Sequence, residues 1–384
     1  MKKKLLGILT GGGDVAPLNA VIIAARSEAL KNNYDLIGFK NGWQGILDEN
    51  YVSLSKVEIN PKVGGTILKS SRVNLAKVEN GVETVKGIFQ KLNLGGLIVI
   101  GGEDTLSNAF YLKDLPIVLI SKTIDNDVGI NRDGKLINYF TLGYPTAAEK
   151  ISSYVSLTEG LRTTAYSHER IIIVESMGMH AGWLAISSSM GNPDFIIIPE
   201  FPLDYDDFKE KVKDRYLKNK NVIIVVAEGS RWKDGGHISA DINDKDNFGH
   251  PKFKDAGQVL AKRLKEDLKT YFDTRNVNSV NPSYLYRSGA PNKLDLKAGL
   301  MLGKKTVKIL LKGKISSPIF LTTEFENKEL RTGLYPIDDV DDIAELHRFV
   351  DDRYYNVEDY SASKEAKKYL SKIIPEIPLP QYGI

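Results

Sequence analysis

The stretch IVLISKTIDND, Ile117 to Asp127, passes from an apolar run directly into Lys122, Thr123, Asp125, Asn126 and Asp127. A cation, a hydroxyl and two carboxylates this close together can neutralise an anion and accept a proton. Two other apolar runs end in the same way. Leu97–Ile100 breaks into Gly101, Gly102, Glu103, Asp104 and Thr105, and Leu6–Leu9 breaks into Thr10, Gly11, Gly12, Gly13 and Asp14. If the three ends are adjacent they form one anionic, glycine-lined site, because open α/β sheets bind ligands beyond the carboxyl ends of their strands. A fourth stretch, GGTILKSSR from Gly64 to Arg72, adds Thr66, Lys69, Ser70, Ser71 and Arg72. The planar fork of arginine suits phosphate oxygens, although a Ser- and Gly-rich loop with two cations can equally be a solvated turn. Arg287, in YLYRSGAP, is another donor of the phosphate type on a loop.

Phosphoryl transfer needs cationic donors on the moving group, carboxylates for magnesium and a base for the attacking hydroxyl. All three are present at strand ends. Glu103 or Asp104 suits Mg2+, which takes one or two carboxylates with water and phosphate oxygens, and Asp125 suits the base. Other chemistries lack their marks. There is no G-x-S-x-G elbow, no G-x-x-x-x-G-K-[ST] and no G-x-G-x-x-G, and cysteine is absent altogether. Paired-carboxylate glycosidase chemistry leaves the glycines and arginines unexplained. His168 and His180 lack the spacing of a metal motif and read singly as structural histidines, and the acidic residues of 231–255 lack the pattern of a calcium loop.

The elements that position these residues alternate. A buried strand over Leu5–Thr10 leads to a helix opened by Pro17, with Asp14 as its initiating residue and a helix N-terminus presented behind the glycines. The same glycines serve equally well in a tight turn, and on the residues alone neither reading prevails. Residues 34–60 read as strand, loop around Gly42, Trp43 and Gly45, and strand. Helices over Val82–Leu92 and 105–113 precede the strands at Leu97 and Ile117, so the sheet is expected to be parallel. A helix from Tyr144 to Leu161 opens a second βα series with strands Ile171–Val174, Phe195–Ile198 and Val222–Val226. A polar loop over 231–255, helices from Asp255 to Thr270 and from Leu294 to about Leu311, a strand near Ile319–Thr323, and helices around Val340–Asp351 and Ser363–Ile373 follow. The fold class is α/β, with two doubly wound Rossmann-like domains, and no site is read in the last sixty residues.

The 384 residues suit two domains. A net charge of +3, with 26% charged and 42% hydrophobic residues, gives no reason to expect a nucleic-acid partner. No apolar run approaches the ~20 residues of a membrane span, and the absence of cysteine fits a cytoplasmic protein.

Read in order, GILTGGGD-x-x-x-LNA, GGTILKSSR, GGEDT, KTIDND, SHER, ESMGMHAG, VAEG and YLYRSGAP resemble the phosphofructokinases across about the first 310 residues. The resemblance implies that family's two-domain fold, phosphorylation of fructose 6-phosphate on its 1-hydroxyl, Mg2+, and a homodimer or homotetramer. Its domains would comprise 1–142 plus about 285–334 for the phosphoryl donor, and 143–284 plus about 335–384 for the sugar phosphate. By motif position, Gly12, Gly102, Asp104, Arg72 and Lys122 fall at the donor, and Thr123, Asp125 and Asp127 surround the reacting hydroxyl with Asp125 as base. Arg170, Met177, Gly178, Glu228, Tyr284 and Arg287 fall at the sugar phosphate, Arg170 reaching across a subunit boundary.

The donor turns on two positions. ATP users of the family usually carry glycine where this chain has Asp104 and Lys122, and pyrophosphate users typically carry this aspartate and lysine. A carboxylate there crowds and repels the inner phosphate of ATP, and a lysine meets compact pyrophosphate with a point charge. The expectation is therefore a reversible pyrophosphate-dependent enzyme of glycolysis, with an ATP-dependent relative or a non-catalytic regulatory subunit as alternatives. Three positions depart from the family pattern. Met179 replaces a common arginine, Glu103 replaces the more usual aspartate, and Asn278 stands where a second cross-subunit arginine is expected, with Arg275 three residues away. The last departure leaves room for another sugar phosphate, such as a sedoheptulose phosphate.

Overall fold

The computed structural model describes residues 4–132, 135–245, 251–253, 255–313, 315–337 and 346–378. The chain divides into two compact units, 1–146 with 287–348 and 147–286 with 349–384.

In the first unit β1 (Lys4–Thr10) pairs in parallel with β2 (Tyr34–Phe39) on one side and with β4 (Leu94–Gly101) on the other, and β4 pairs in parallel with β5 (Ile117–Thr123). A short strand β3 (Tyr51–Ser53) closes one edge antiparallel to β2. On the other edge the strand Ile319–Glu326 runs parallel to β5 and folds back, antiparallel, as Glu329–Pro336. The strands β1, β4 and β5 are apolar and almost wholly buried because helices cover both faces of a parallel sheet. The sheet order β5-β4-β1 makes the three polar strand ends neighbours. One side of the core packs Leu9, Phe39, Trp43, Val99, Leu119 and, from the far end of the chain, Leu346.

The second unit is built on the parallel order Phe195–Ile197, Val222–Ala227, Ile171–Ser176, Val277–Val280. Its core joins Ile173, Ile224 and Val226 of these strands to Phe208 and to Leu260 and Leu264 of the helix Ala256–Leu268.

Several local expectations change. The helix after β1 runs Leu18–Lys31 with Pro17 as its cap, and Asp14 lies in irregular chain ahead of it. The reason is Pro17, whose ring fixes φ and favours the entry to a helix. Trp43–Leu47 is a short helix, with the indole N–H of Trp43 donating to the carbonyl of Thr105 at 2.9 Å. The helix expected over 105–113 starts at Glu103 and tightens to 3₁₀ geometry over Ser107–Tyr111. The helix from Tyr144 ends at Val155. Within 231–255, Ala240–Lys245 pairs antiparallel with Pro251–Phe253. Of the helix expected over Val340–Asp351, residues 340–345 lie outside the described residues, and His347 instead forms an antiparallel bridge with Val128.

Candidate active site

The first unit gathers most of the sequence-predicted residues at the ends of β1, β4 and β5. Gly11 and Gly101 leave a notch for Thr105, since a Cβ on Gly11 would stand 2.4 Å from Thr105 Oγ1 and one on Gly101 2.2 Å from Thr105 Cβ. The glycine loop thereby settles onto the start of the Glu103 helix. Gly12 has φ of 76°, a conformation glycine adopts at no steric cost, and a Cβ there would come within 3.2 Å of Lys122 Nζ. A Cβ on Gly13 would meet Arg287 Nη1 at 2.9 Å. These two glycines therefore make room for two cations.

Two backbone N–H groups of this loop are already engaged. Gly11 donates to Ile100 O at 2.9 Å and Gly12 to Ser71 O at 3.1 Å. The expected N–H cradle behind three glycines is thus not available at Gly11 and Gly12, and positive charge comes from side chains instead. The GGTILKSSR loop is held here by the Gly12–Ser71 bond, by Ser70 Oγ donating to Gly12 O, and by Thr10 Oγ1 donating to Lys69 O at 2.9 Å. Its Arg72 is exposed. Arg287 pairs with Asp14, Nε to Oδ1 at 3.2 Å, so a residue expected at the sugar phosphate stands beside the glycine loop.

Lys122 is 3% exposed. Burial pushes its ammonium down to about 8; the Asp127 carboxylate offsets part of this, Arg287 adds to it, Asp14 offsets and Arg72 adds. A buried lysine costs several kcal/mol unless an anion meets it, so this one is poised for a ligand anion. Beyond Lys122 the chain turns sharply at Asn126, φ 57°. Thr123 Oγ1 accepts from Asp125 N at 3.1 Å, Thr141 Oγ1 donates to Thr123 O at 2.6 Å, and Thr141 N donates to Asn126 Oδ1 at 3.0 Å. Asp127 Oδ1 is buried and has no hydrogen-bond partner among the described residues. The carboxyl of Glu103 is raised above its ordinary range, chiefly by burial, with His347 opposing and Asp104 and Asp127 adding. Asp104 is exposed.

Among the described residues no three acidic or histidine side chains converge into a self-sufficient metal cage. Magnesium does not need one, and the hard oxygens of Glu103 and Asp104, close to the unpartnered Asp127 Oδ1, suit an ion that completes its shell with water and phosphate.

The second unit holds the remaining residues. At the carboxyl end of Ile171–Ser176, Gly178 N donates to Glu228 Oε1 at 3.2 Å, and Gly229 N donates to Gly178 O at 3.2 Å. Met177 follows the same strand, Met179 is exposed, and Tyr284, 63% exposed, sits after the neighbouring strand Val277–Val280. Arg170 is not with them. It precedes the strand that Met177 follows, about 20 Å away at ~3.3 Å per residue, with Nη1 donating to Thr164 Oγ1 at 2.8 Å. Arg275, the nearest arginine to Asn278, is committed to Asp273 through Nε and Nη2 at 2.6–3.0 Å.

Sequence reasoning missed two residues and the ionisation of a third. Glu175, at the strand end, is pushed up to about 7, mainly by burial, with the Gly257 N–H opposing and Asp255 and Glu228 adding. Its place in the strand was readable, but the burial that changes its chemistry was not. His347, Nε2 at 3.0 Å from Glu103 Oε2, and Arg348 come from a segment with no motif. Only contact across more than 200 residues reveals them.

The phosphofructokinase family model matches residues 5–310. A pyrophosphate–fructose 6-phosphate 1-phosphotransferase from Dictyoglomus thermophilum is 39% identical over 82% of this chain and 88% of its own length. An ATP-dependent 6-phosphofructokinase 3 from Streptomyces coelicolor is 36% identical over 80% of this chain and 88% of its own. In fold, the chain is similar to the crystal structure of a pyrophosphate-dependent phosphofructokinase from Marinobacter aquaeolei, with a TM-score of 0.79 and 19% identity over 99% of this chain and 93% of that one. With the family model covering residues 5–310 and a 39% identical relative covering most of the chain, the protein belongs to the phosphofructokinase family.

Proposed function

We propose that the protein transfers a phosphoryl group from pyrophosphate to the 1-hydroxyl of fructose 6-phosphate, giving fructose 1,6-bisphosphate and phosphate. The observation that carries the donor is Lys122, buried against Gly12 and without a hydrogen bond or ion pair of its own among the described residues. A compact polyanion satisfies such a cation, and at neutral pH an ammonium titrating near 8 is still charged. Exposed Asp104, at the start of the Glu103 helix, repels the longer polyphosphate of ATP.

In this reading Asp125 takes the proton of the 1-hydroxyl, and Thr123, hydrogen-bonded to the Asp125 N–H, fixes the base. Lys122, Arg72 and Arg287 neutralise the charge that spreads over the transferring group, and Asp127 supports the reacting end. Glu103 and Asp104 would hold Mg2+, which supplies charge neutralisation at the phosphate oxygens. Gly12 and Gly102 let the donor approach the backbone. Met177, Gly178, Glu228 and Tyr284 contact the sugar phosphate, and Arg170, at the opposite end of its strand, reaches the sugar-phosphate site of a second copy in a homo-oligomer. The nearly balanced free energies of pyrophosphate and sugar phosphate make the step reversible, and in this reading it belongs to cytoplasmic glycolysis.

The ATP-dependent reading is kept alive by the ATP-dependent relative at 36% identity. Initial rates of fructose 6-phosphate phosphorylation with Mg2+, pyrophosphate or ATP being the sole donor, decide between them. Turnover with pyrophosphate alone is expected. Turnover with ATP alone overturns the donor assignment and leaves Asp125 as base, and silence with both overturns the reaction.

A further inference from the structure

Residues 346–348 lie beyond the segment that the family model matches, yet they close over the turn that carries the reactive carboxylates. Gly129 N donates to Leu346 O at 2.8 Å and Arg348 N donates to Asp127 O at 2.8 Å, so this short segment pairs with the chain directly after the KTIDND motif. Leu346 is buried in the core of the first unit and anchors the segment there. Arg348, 2% exposed, sends Nε to Asn126 O at 2.8 Å and Nη1 to Asn138 O at 2.5 Å. His347, between them, places Nε2 at 3.0 Å from Glu103 Oε2.

We infer that Leu346–Arg348 is a positioning strap for phosphoryl transfer: Arg348 fixes the turn that aims Asp125 and Asp127, and His347 fixes the metal-facing Glu103. The carbonyls of Asn126 and Asp127 are the two peptide oxygens immediately after Asp125, and both are bound by Arg348, one by its side chain and one by its N–H. Asn126 is in the left-handed region, which asparagine tolerates better than other side chains, and the two bonds from Arg348 hold the carbonyls on either side of the next peptide in that turn. A guanidinium fits this task because its donors are fixed in one plane and can reach two carbonyls at once, which an ammonium cannot do with the same geometry. His347 has a related task. A carboxylate that turns freely binds a cation weakly, and a hydrogen bond from outside the coordination sphere holds it in the binding orientation. Glu103 has one methylene more than the aspartate usual in the family, so it has more freedom to lose.

The inference rests on the phosphoryl-transfer reading of Asp125, Asp127 and Glu103 but not on the choice of donor. The variants are therefore assayed with whichever donor the wild-type enzyme uses. Three are compared in the full-length protein: His347→Ala, His347→Gln, which keeps an N–H near Nε2, and Arg348→Lys, which keeps the charge and loses the fork. Mn2+ binding in the presence of inorganic phosphate is followed by electron paramagnetic resonance, alongside thermal unfolding and steady-state rates. His347→Ala is expected to weaken Mn2+ binding by about 10-fold or more at an unchanged unfolding midpoint, with His347→Gln restoring most of it. Arg348→Lys is expected to lower kcat by about 10- to 100-fold, with the KM for fructose 6-phosphate nearly unchanged. Equal Mn2+ affinity in wild type and His347→Ala overturns the role of His347. A wild-type kcat in Arg348→Lys, or a loss that disappears once rates are corrected to the folded fraction, overturns the role of Arg348. A wild-type enzyme active with ATP alone refutes only the donor reading and leaves the strap to be judged by these outcomes.

Discussion

The two units end their parallel strands in opposite ways. In the first, the ends of β1, β4 and β5 collect Asp14, Glu103, Asp104, Lys122, Asp125 and Asp127, and the loops add Arg72 and Arg287. In the second, the corresponding ends carry Met177, Gly178, Glu228 and Tyr284, and the buried carboxyl at Glu175 is raised toward neutrality. One architecture therefore supports a charged centre and a hydrogen-bonding, partly apolar surface. On the proposed reaction, the difference lies in what each would meet. A moving phosphoryl group needs fixed charge at the point where its own charge redistributes, whereas a sugar needs shape and hydrogen bonds. The charged centre is braced by hydrogen bonds of Thr123, Thr141 and Arg348, which hold its charges in place.

Breaking the charged centre should abolish chemistry and spare the fold. Asp125→Ala is expected to lower kcat by roughly 10²–10⁴-fold with an unchanged circular dichroism spectrum and unfolding midpoint. Near-normal turnover would remove Asp125 from the role of base.

Lys122→Met tests whether burial there serves the donor. It is expected to cost about 10²–10³-fold in kcat/KM for pyrophosphate. It should also stabilise the unliganded protein. The folded-state pKa of about 8 lies below the ordinary 10.5, so between these values the unfolded chain holds a proton that the folded one lacks. Wild-type stability then rises with pH across that window, and the methionine variant loses this slope and gains up to roughly 3 kcal/mol at pH 7. Donor kcat/KM in the wild type should fall as pH rises through about 8. A pH-independent difference in stability between the two proteins, measured by urea unfolding, would refute the account.

Asp104→Gly sharpens the comparison at the rim. Because Asp104 is exposed, the repulsion it exerts on a nearby unit anion is about 1 kcal/mol, so ATP affinity should improve by roughly fivefold. Isothermal titration with ATP measures this, and an unchanged affinity would remove Asp104 from donor selection.

The sequence made the first unit's site legible to different depths. Lys122, Asp125 and Asp127 were readable because chemistry and strand end coincide within one short stretch. The adjacency of the three ends followed from alternating helices and strands, which leave few sheet orders. The edge hairpin Ile319–Pro336 was half read, since its second strand, ELRTGLYP, lacks a clean alternation. The motif around Arg287 marks it as a hydrogen-bond donor to phosphate, but a loop residue's neighbours are set by where the loop returns, and here it returns to Asp14 and Gly13. His347 and Arg348 were invisible for the same reason in stronger form. Nothing local distinguishes them, and their partners are at Glu103 and Asn126. Glu175 was readable as a strand residue, whereas its raised carboxyl depends on the helix that begins at Ala256 and covers it.

Glu175 gives the smallest expected effect on turnover and the finest test of the contrast. Its carboxyl is pushed up to about 7 from an ordinary 4.5, so between these values the folded protein holds a proton that the unfolded chain has released. The sign is opposite to that of Lys122: stability is fully present below pH 4.5 and is lost as pH rises through about 7. Glu175 Oε2 accepts from Gly257 N at 2.8 Å and Oε1 from Asn281 Nδ2 at 3.2 Å, and a glutamine oxygen can replace only one of these acceptors. Glu175→Gln should therefore cost about 1 kcal/mol at pH 4.5, where the wild-type carboxyl is neutral, through one lost hydrogen bond. At pH 8 it should be the more stable protein, by up to roughly 2 kcal/mol, because it avoids a buried charge. The two stability curves are thus expected to cross between about pH 4.5 and 8 in urea unfolding. Curves that stay parallel would mean that Glu175 is ionised at neutral pH, and the second unit's strand ends would then be as charged as the first's.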